Sequence, residues 1–197
     1  MELLLVRHAR PEHIENADGP ADPPLTHIGH LQARAVAGWL ATEDIDALYC
    51  SSMVRARQTA APIGRLLDLE PAVRAGVREF DAQDRSYIPV EVLRRDPARF
   101  REFIANDLAA DRSAFNAEVV DTLTTITAEH RSQRVVVVCH GGVINAWATH
   151  VLGIEPKLFF DPDYTSINRF MVASTGEKSI VSLNERAHLR AAPGLLL

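Results

Sequence analysis

Lysine is almost missing from this chain: of its 197 residues only those at 157 and 178 are Lys, so nearly all the positive charge is arginine. With a net charge of −5 there is no basic excess, which argues against nonspecific nucleic-acid binding. Cysteine is scarce too. Cys50 and Cys139 form no CxxC pair, and each ends a short apolar run, where a thiol is usually a small buried hydrophobe. A disulfide scaffold is thereby excluded and a reducing compartment expected. No run approaches the ~18 apolar residues of a membrane span. The first residues, Met1 to Arg7, hold too short an apolar stretch for a secretory signal. They also place an acid, Glu2, where basic residues should stand, so a cytoplasmic protein without membrane partners is expected.

What is present is enough for a core. Hydrophobic residues make up 47% of the chain. A chain of this size buries roughly 70% of its unfolded surface, so it needs neither disulfide nor metal to hold together. We expect one domain over 1–197 with an inserted helical lid over 81–116.

The pattern along the chain alternates. Glu2–Arg7 carries the continuous apolar run of a strand buried on both faces. A loop rich in Pro, Gly and Asp follows to Leu25. Thr26 caps a helix to about Thr42, with Leu31, Val36, Trp39 and Leu40 as its apolar stripe. Asp46 to Cys50 reads as a strand, and Met53 to Asp68 as a helix kinked at Pro62. Pro71 to Phe80 reads as extended. The 81–116 stretch has two short helical pieces, near Pro89–Arg95 and Pro97–Asn106, and no strand. A helix from Ala117 to Arg131, a strand from Arg134 to Cys139 and a helix from Gly142 to Leu152 follow. A hairpin of Ser166–Ala173 and Lys178–Leu183 closes the chain. Strands alternating with helices predict an α/β fold, a three-layer α/β/α sandwich on a mainly parallel sheet.

In open α/β sheets, ligands bind beyond the carboxyl ends of the strands. Two strongly apolar strands end alike here, one in Arg7-His8 and the other in His140-Gly141-Gly142. If both are central and parallel, His8 and His140 emerge side by side, with turning backbone N–H groups that can face an anion.

Five blocks in order then resemble the histidine phosphatase (phosphoglycerate mutase-like) superfamily. They are Leu5-Val6-Arg7-His8-Ala9, then Leu25-Thr26-His27-Ile28-Gly29 with Gln32-Ala33, and Ser51 to Ala60 around Arg55 and Gln58-Thr59. Val138-Cys139-His140-Gly141-Gly142 and the tail Asn184 to Leu189 complete the set. The resemblance implies His8 as nucleophile, passing through a phosphohistidine. It implies Arg7 and Arg55 as bidentate forks on the phosphate, and His140, protonated against the dianion, as a further donor. Glu79 lies where the phosphatase branches often place their general acid, and Asp81 is its nearest rival. No cofactor is implied, and no metal: His13, His27 and His30 lack a coherent ligand spacing with carboxylates.

The chain departs from the family pattern in three places, one of them Asp81-Ala82-Gln83-Asp84-Arg85, which stands where a Gly-x-Trp-Glu-Gly element often follows the acid. Ala9 stands where glycine is usual after the nucleophile, so an ordinary backbone angle is expected there. The polar residues that usually follow the first motif have no clear match, and His13 or Asn16 are the candidate substitutes. The resemblance favours a metal-independent phosphomonoesterase acting on a small phosphorylated metabolite. Arg85, Tyr87 and Arg94 of the insertion are candidates to reach its non-phosphate part. A phosphoglycerate mutase and a non-catalytic phospholigand-binding protein are the alternatives, and the sequence leaves a homodimer open.

Overall fold

Two apolar runs set the middle of the molecule. In the computed structural model, which describes residues 1–190 and 192–195 (backbone alone at 107, 108 and 193), β1 is Glu2–Arg7 and α1 is His27–Leu40. Next come β2 (Ala47–Ser51), α2 (Val54–Leu67), β3 (Ala72–Arg74), α3 (Val90–Leu93) and α4 (Pro97–Ala109). The remaining elements are α5 (Ser113–Glu129), β4 (Arg134–Cys139), α6 (Gly141–Leu152), β5 (Ile167–Val172) and β6 (Lys178–Glu185). β1 and β4 lie side by side in parallel, Leu3 opposite Val135 and Val6 opposite Val138. Leu3 to Val6 and Val135 to Val138 are fully buried. Neither strand has a solvent face, which is why neither shows polar alternation. Each such side chain contributes roughly 1.5–3 kcal/mol by leaving water.

The sheet order is β3-β2-β4-β1-β5-β6, with the first four strands parallel and β5 and β6 antiparallel. Alternate residues of the central strands face opposite layers. Leu3, Leu5, Val135 and Val137 pack with Val119 and Leu123 of α5 and Trp147 of α6. Leu4, Val6, Val136 and Val138 pack with Val36 and Leu40 of α1 and Ala56 and Ile63 of α2. The expected three-layer sandwich with an antiparallel hairpin at its edge is therefore what forms.

Local signals act as read. The Thr26 hydroxyl accepts from Gly29 N at 2.9 Å and caps α1. Ala9 is outside the left-handed region, as expected. α2 runs through Pro62 to Leu67 within the expected span, and the left-handed backbone of Asp68 (φ 54°) terminates it. Two boundaries differ. Of the extended 71–80 stretch only Ala72–Arg74 is a strand, held by pairing with β2, after which a 3₁₀ turn buries Val77. α5 begins at Ser113 rather than Ala117, because Asp111 Oδ1 accepts from Ser113 N at 2.9 Å and starts the helix early.

The 81–116 stretch carries α3, α4 and the start of α5, and it is tied to the loop that follows β1. Ile14 and Tyr87 exchange two backbone hydrogen bonds, and Ala17 N and Ala21 N donate to the carbonyls of Arg85 and Asp84. No helix among the described residues is long and apolar enough to cross a membrane.

Candidate active site

β1 delivers His8 to the carboxyl edge of the sheet. Its backbone N donates to Cys139 O at 2.9 Å, which fixes it against the end of β4, and the residue is 2% exposed. Nδ1 lies 2.8 Å from the carbonyl of Ala9. A carbonyl only accepts, so Nδ1 carries the hydrogen and Nε2 keeps the lone pair. Burial first, then Arg55 and Arg7, hold the imidazole well below its ordinary pKa, so it is neutral at pH 7. Arg55 Nε donates to that Nε2 at 3.3 Å.

His140, just after β4, lies tilted beside it with ring centroids 5.1 Å apart. Its Nε2 is 2.8 Å from Ser51 Oγ at the end of β2. The sequence reading expects His140 protonated against a phosphate dianion. In the protein alone, burial and then Arg55, His8 and Arg7 push its pKa well down, and the ring is neutral. A dianion beside it opposes those causes.

Arg55 sits in the first turn of α2 and is wholly buried. Asp22 accepts from Val54 N with both oxygens at 3.0 Å, seating the helix start. The guanidinium is 3.7 Å from Asp22 and 3.7 Å from Asp81, and it lies 4.7 Å above the ring of Tyr87. Arg7 is held by Asp161 at 3.2 Å and by the Pro162 carbonyl, and lies 4.5 Å over Tyr164. These contacts leave polar atoms over. Arg55 Nη1 and Nη2, Arg7 Nε and His140 Nδ1 are buried and make no hydrogen bond. Unmet buried polar atoms are rare, and each costs about 1–3 kcal/mol. Their clustering around one imidazole lone pair suits an anion with several acceptor oxygens.

Two carboxylates flank this cluster. Glu79 Oε2 accepts from Gly142 N at 2.9 Å, at the start of α6, and Oε1 accepts from Phe80 N at 2.9 Å. A Cβ on residue 142 would stand 2.1 Å from Oε1, so only glycine admits this approach. Asp81 is pushed up to about 6, by burial first and then by the charge of Glu79, with Arg55 opposing.

Other motif residues hold loops. Thr59 Oγ1 accepts from Ala9 N, Gln32 Oε1 from Arg10 N and Gln58 Oε1 from Leu25 N. Gly29 lies under Arg10, where a Cβ would meet its carbonyl oxygen at 2.1 Å. His13 pairs with Glu15 at the surface, and neither it nor Asn16 lines the cavity above His8. Arg85 turns away to the Ala17 carbonyl, whereas Tyr87 and Arg94 do line the cavity. Ser51, Asp161 and Tyr164 also meet the site residues, and sequence reasoning does not single them out. Ser51 carried a usable signal, since it ends a third apolar strand at the same sheet edge. Asp161 and Tyr164 sit in a loop and carried none.

The cavity encloses about 780 Å³ and is lined by Arg7, His8, Arg55, Glu79, Asp81 and residues of α3, α4 and the 158–162 loop. No group of three His, Cys, Asp or Glu among the described residues is placed to hold a metal ion.

This constellation matches a known family. The profile of the histidine phosphatase superfamily (branch 1) covers residues 3–186. A probable phosphatase of Schizosaccharomyces pombe is 29% identical, over 97% of this chain and 96% of its own. Phosphoserine phosphatase 1 of Hydrogenobacter thermophilus is 27% identical, over 96% of this chain and 94% of its own. Among solved structures, a phosphoserine phosphatase of Entamoeba histolytica in complex with phosphoserine superposes with a TM-score of 0.75. It is 24% identical, over 95% of this chain and 98% of that one, and supports the fold. The chain therefore belongs to the histidine phosphatase superfamily. Within it, the chain is a phosphatase enzyme.

Proposed function

We propose that this protein hydrolyses a small phosphomonoester through a phosphohistidine on His8, without a metal. The observation that carries the reading is the set of unmet buried polar atoms on Arg7, Arg55 and His140 around the unprotonated Nε2 of His8. Phosphoryl transfer asks a protein for an in-line nucleophile and for cations on the equatorial oxygens. The two arginines supply the charge that a metal supplies elsewhere, in forks that match a phosphate.

His8 Nε2 attacks phosphorus, an N–P bond forms and the ester P–O bond breaks. The leaving alkoxide takes a proton from Glu79, which is held at the start of α6 by Gly142 N. Water then attacks the phosphohistidine, Glu79 takes its proton, and His8 recovers its lone pair as orthophosphate departs. His140 donates to the transferring group once the dianion has reversed its preference for the neutral form. Asp81 is the second reading for the proton carrier, favoured by a pKa near neutrality, about 6. The 81–116 insertion serves as the cover of the site, since Tyr87 and α4 line the cavity above His8. Cys50 and Cys139 are both buried and unpaired, which fits a reducing compartment, and we place the protein in the cytoplasm.

The test is release of phosphate from p-nitrophenyl phosphate in EDTA, wild type against His8→Ala. Turnover by the wild type alone supports the reading. Equal turnover by both overturns it.

A further inference from the structure

We infer that the preferred substrate is the phosphomonoester of an apolar alcohol, its body held against the walls of the cavity formed by α4 and the 158–160 strip. The inference rests on the hydrolase reading above and adds the chemistry of the leaving group. A phosphate occupies only the floor of a 780 Å³ cavity, and cavities of roughly 300–1,000 Å³ usually enclose a whole small ligand. The walls are apolar. Phe80, Phe103, Ile104, Leu158 and Phe159 all face this space, and each is between 37% and 43% exposed. They are five of the twelve large apolar side chains left exposed among the described residues, gathered in one cavity rather than scattered. An apolar patch beside a reaction centre is a binding feature rather than a packing accident.

Three polar side chains at the same walls, Asn145, Arg94 and Arg112, are already engaged. Asn145 donates to the carbonyls of Gly141 and Phe160 and accepts from Phe159 N, so its amide holds the strip in place. Arg94 is bonded to Asp161 at 3.1 Å. Arg112 lies 4.5 Å over the ring of Phe80. A substrate body bearing both an ammonium and a carboxylate would lose water here against rings and aliphatic chains. An alkyl or aryl body loses nothing polar and covers side chains that otherwise face solvent.

The experiment compares kcat/KM for n-alkyl phosphates from ethyl to octyl with that for phosphoserine. The alkyl series keeps the basicity of the leaving group nearly constant, so differences report on binding of the body. We expect kcat/KM to rise about two- to fourfold per methylene over the first members. The longer esters should exceed phosphoserine by about 100-fold or more, the product of several such steps. The Phe103→Ser/Ile104→Ser double variant, altered on an exposed helix face, should flatten the slope. A flat series, or phosphoserine as the best substrate, overturns the inference while leaving the hydrolase reading standing. If no ester is hydrolysed, the hydrolase reading falls, and calorimetric binding of n-alkylphosphonates decides the inference alone. Affinity that rises with chain length supports it, and affinity independent of length overturns it.

Discussion

Arg55 Nε donates to His8 Nε2 at 3.3 Å, so the proposed phosphate clamp also aligns the lone pair of the proposed nucleophile. A lysine keeps the charge but loses the planar fork and one of these two tasks. Arg55→Lys should lower kcat/KM by about 10²–10³, the usual cost of losing an oriented donor to a developing anion. It should also weaken competitive inhibition by orthophosphate. Steady-state kinetics with phosphate as inhibitor checks both, and an unchanged inhibition constant would count against a clamp.

Glu79 is proposed to protonate the leaving oxygen, and its removal should therefore depend on how badly that oxygen needs a proton. Glu79→Gln should cut kcat for an alkyl phosphate by about 10²–10⁴. For p-nitrophenyl phosphate, whose leaving group is stable as an anion, the loss should be far smaller. If Asp81→Asn shows this leaving-group dependence and Glu79→Gln does not, the proton carrier is Asp81.

The close approach of Gly142 to Glu79 can be tested without touching either proposed catalytic histidine. A methyl at 142 would meet Glu79 Oε1 at 2.1 Å and drive the carboxylate away from the α6 terminus. Gly142→Ala should lower kcat on alkyl phosphates by about 10²-fold, the effect of a displacement of about an ångström, while KM changes little. A matching loss on p-nitrophenyl phosphate would point to general damage instead.

Asp81 gives a pH signature in stability. Its folded pKa, about 6, lies above the ordinary 3.8, so the folded state favours the protonated form. That stabilisation is complete below about pH 4 and is lost as pH rises through 6. Asp81→Asn cannot ionise and keeps it. The variant and wild type should melt together at pH 4, and the variant should melt higher above pH 6.5. The gap should be worth about 1 kcal/mol or less, because the side chain is partly exposed and its charge is screened. A gap of equal size at both pH values would show that Asp81 is not the titrating group.

Much of the site was legible because its residues terminate buried strands. Leu3–Val6 and Val135–Val138 read as buried strands from their unbroken hydrophobicity, and the condition that both be central and parallel, which the pairing of β1 with β4 meets, puts His8 and His140 at one edge. Arg55 needed the motif around it, because a buried arginine on an amphipathic helix has the same periodicity as an exposed one. Glu79 was placed by its motif position, while its bond to Gly142 depends on a contact 63 residues apart. The short β3 was not bounded by the sequence, because its ends are set by pairing with β2 rather than by its own residues. The early start of α5 hung on a single bond, from Ser113 N to Asp111. The apolar cavity was invisible for a similar reason: Phe103 and Ile104 come from α4 and Leu158 and Phe159 from a loop, with no shared period.

The central claim is that phosphate passes through His8. The most direct measurement is rapid quenching of the enzyme with a phosphomonoester, followed by peptide mass spectrometry under alkaline conditions, where phosphohistidine survives. The account predicts a phosphoryl group on the peptide containing His8, formed within the first turnover and absent from His8→Ala. A catalytically active enzyme with no phosphoryl group on that peptide, or with one on another residue, would contradict it.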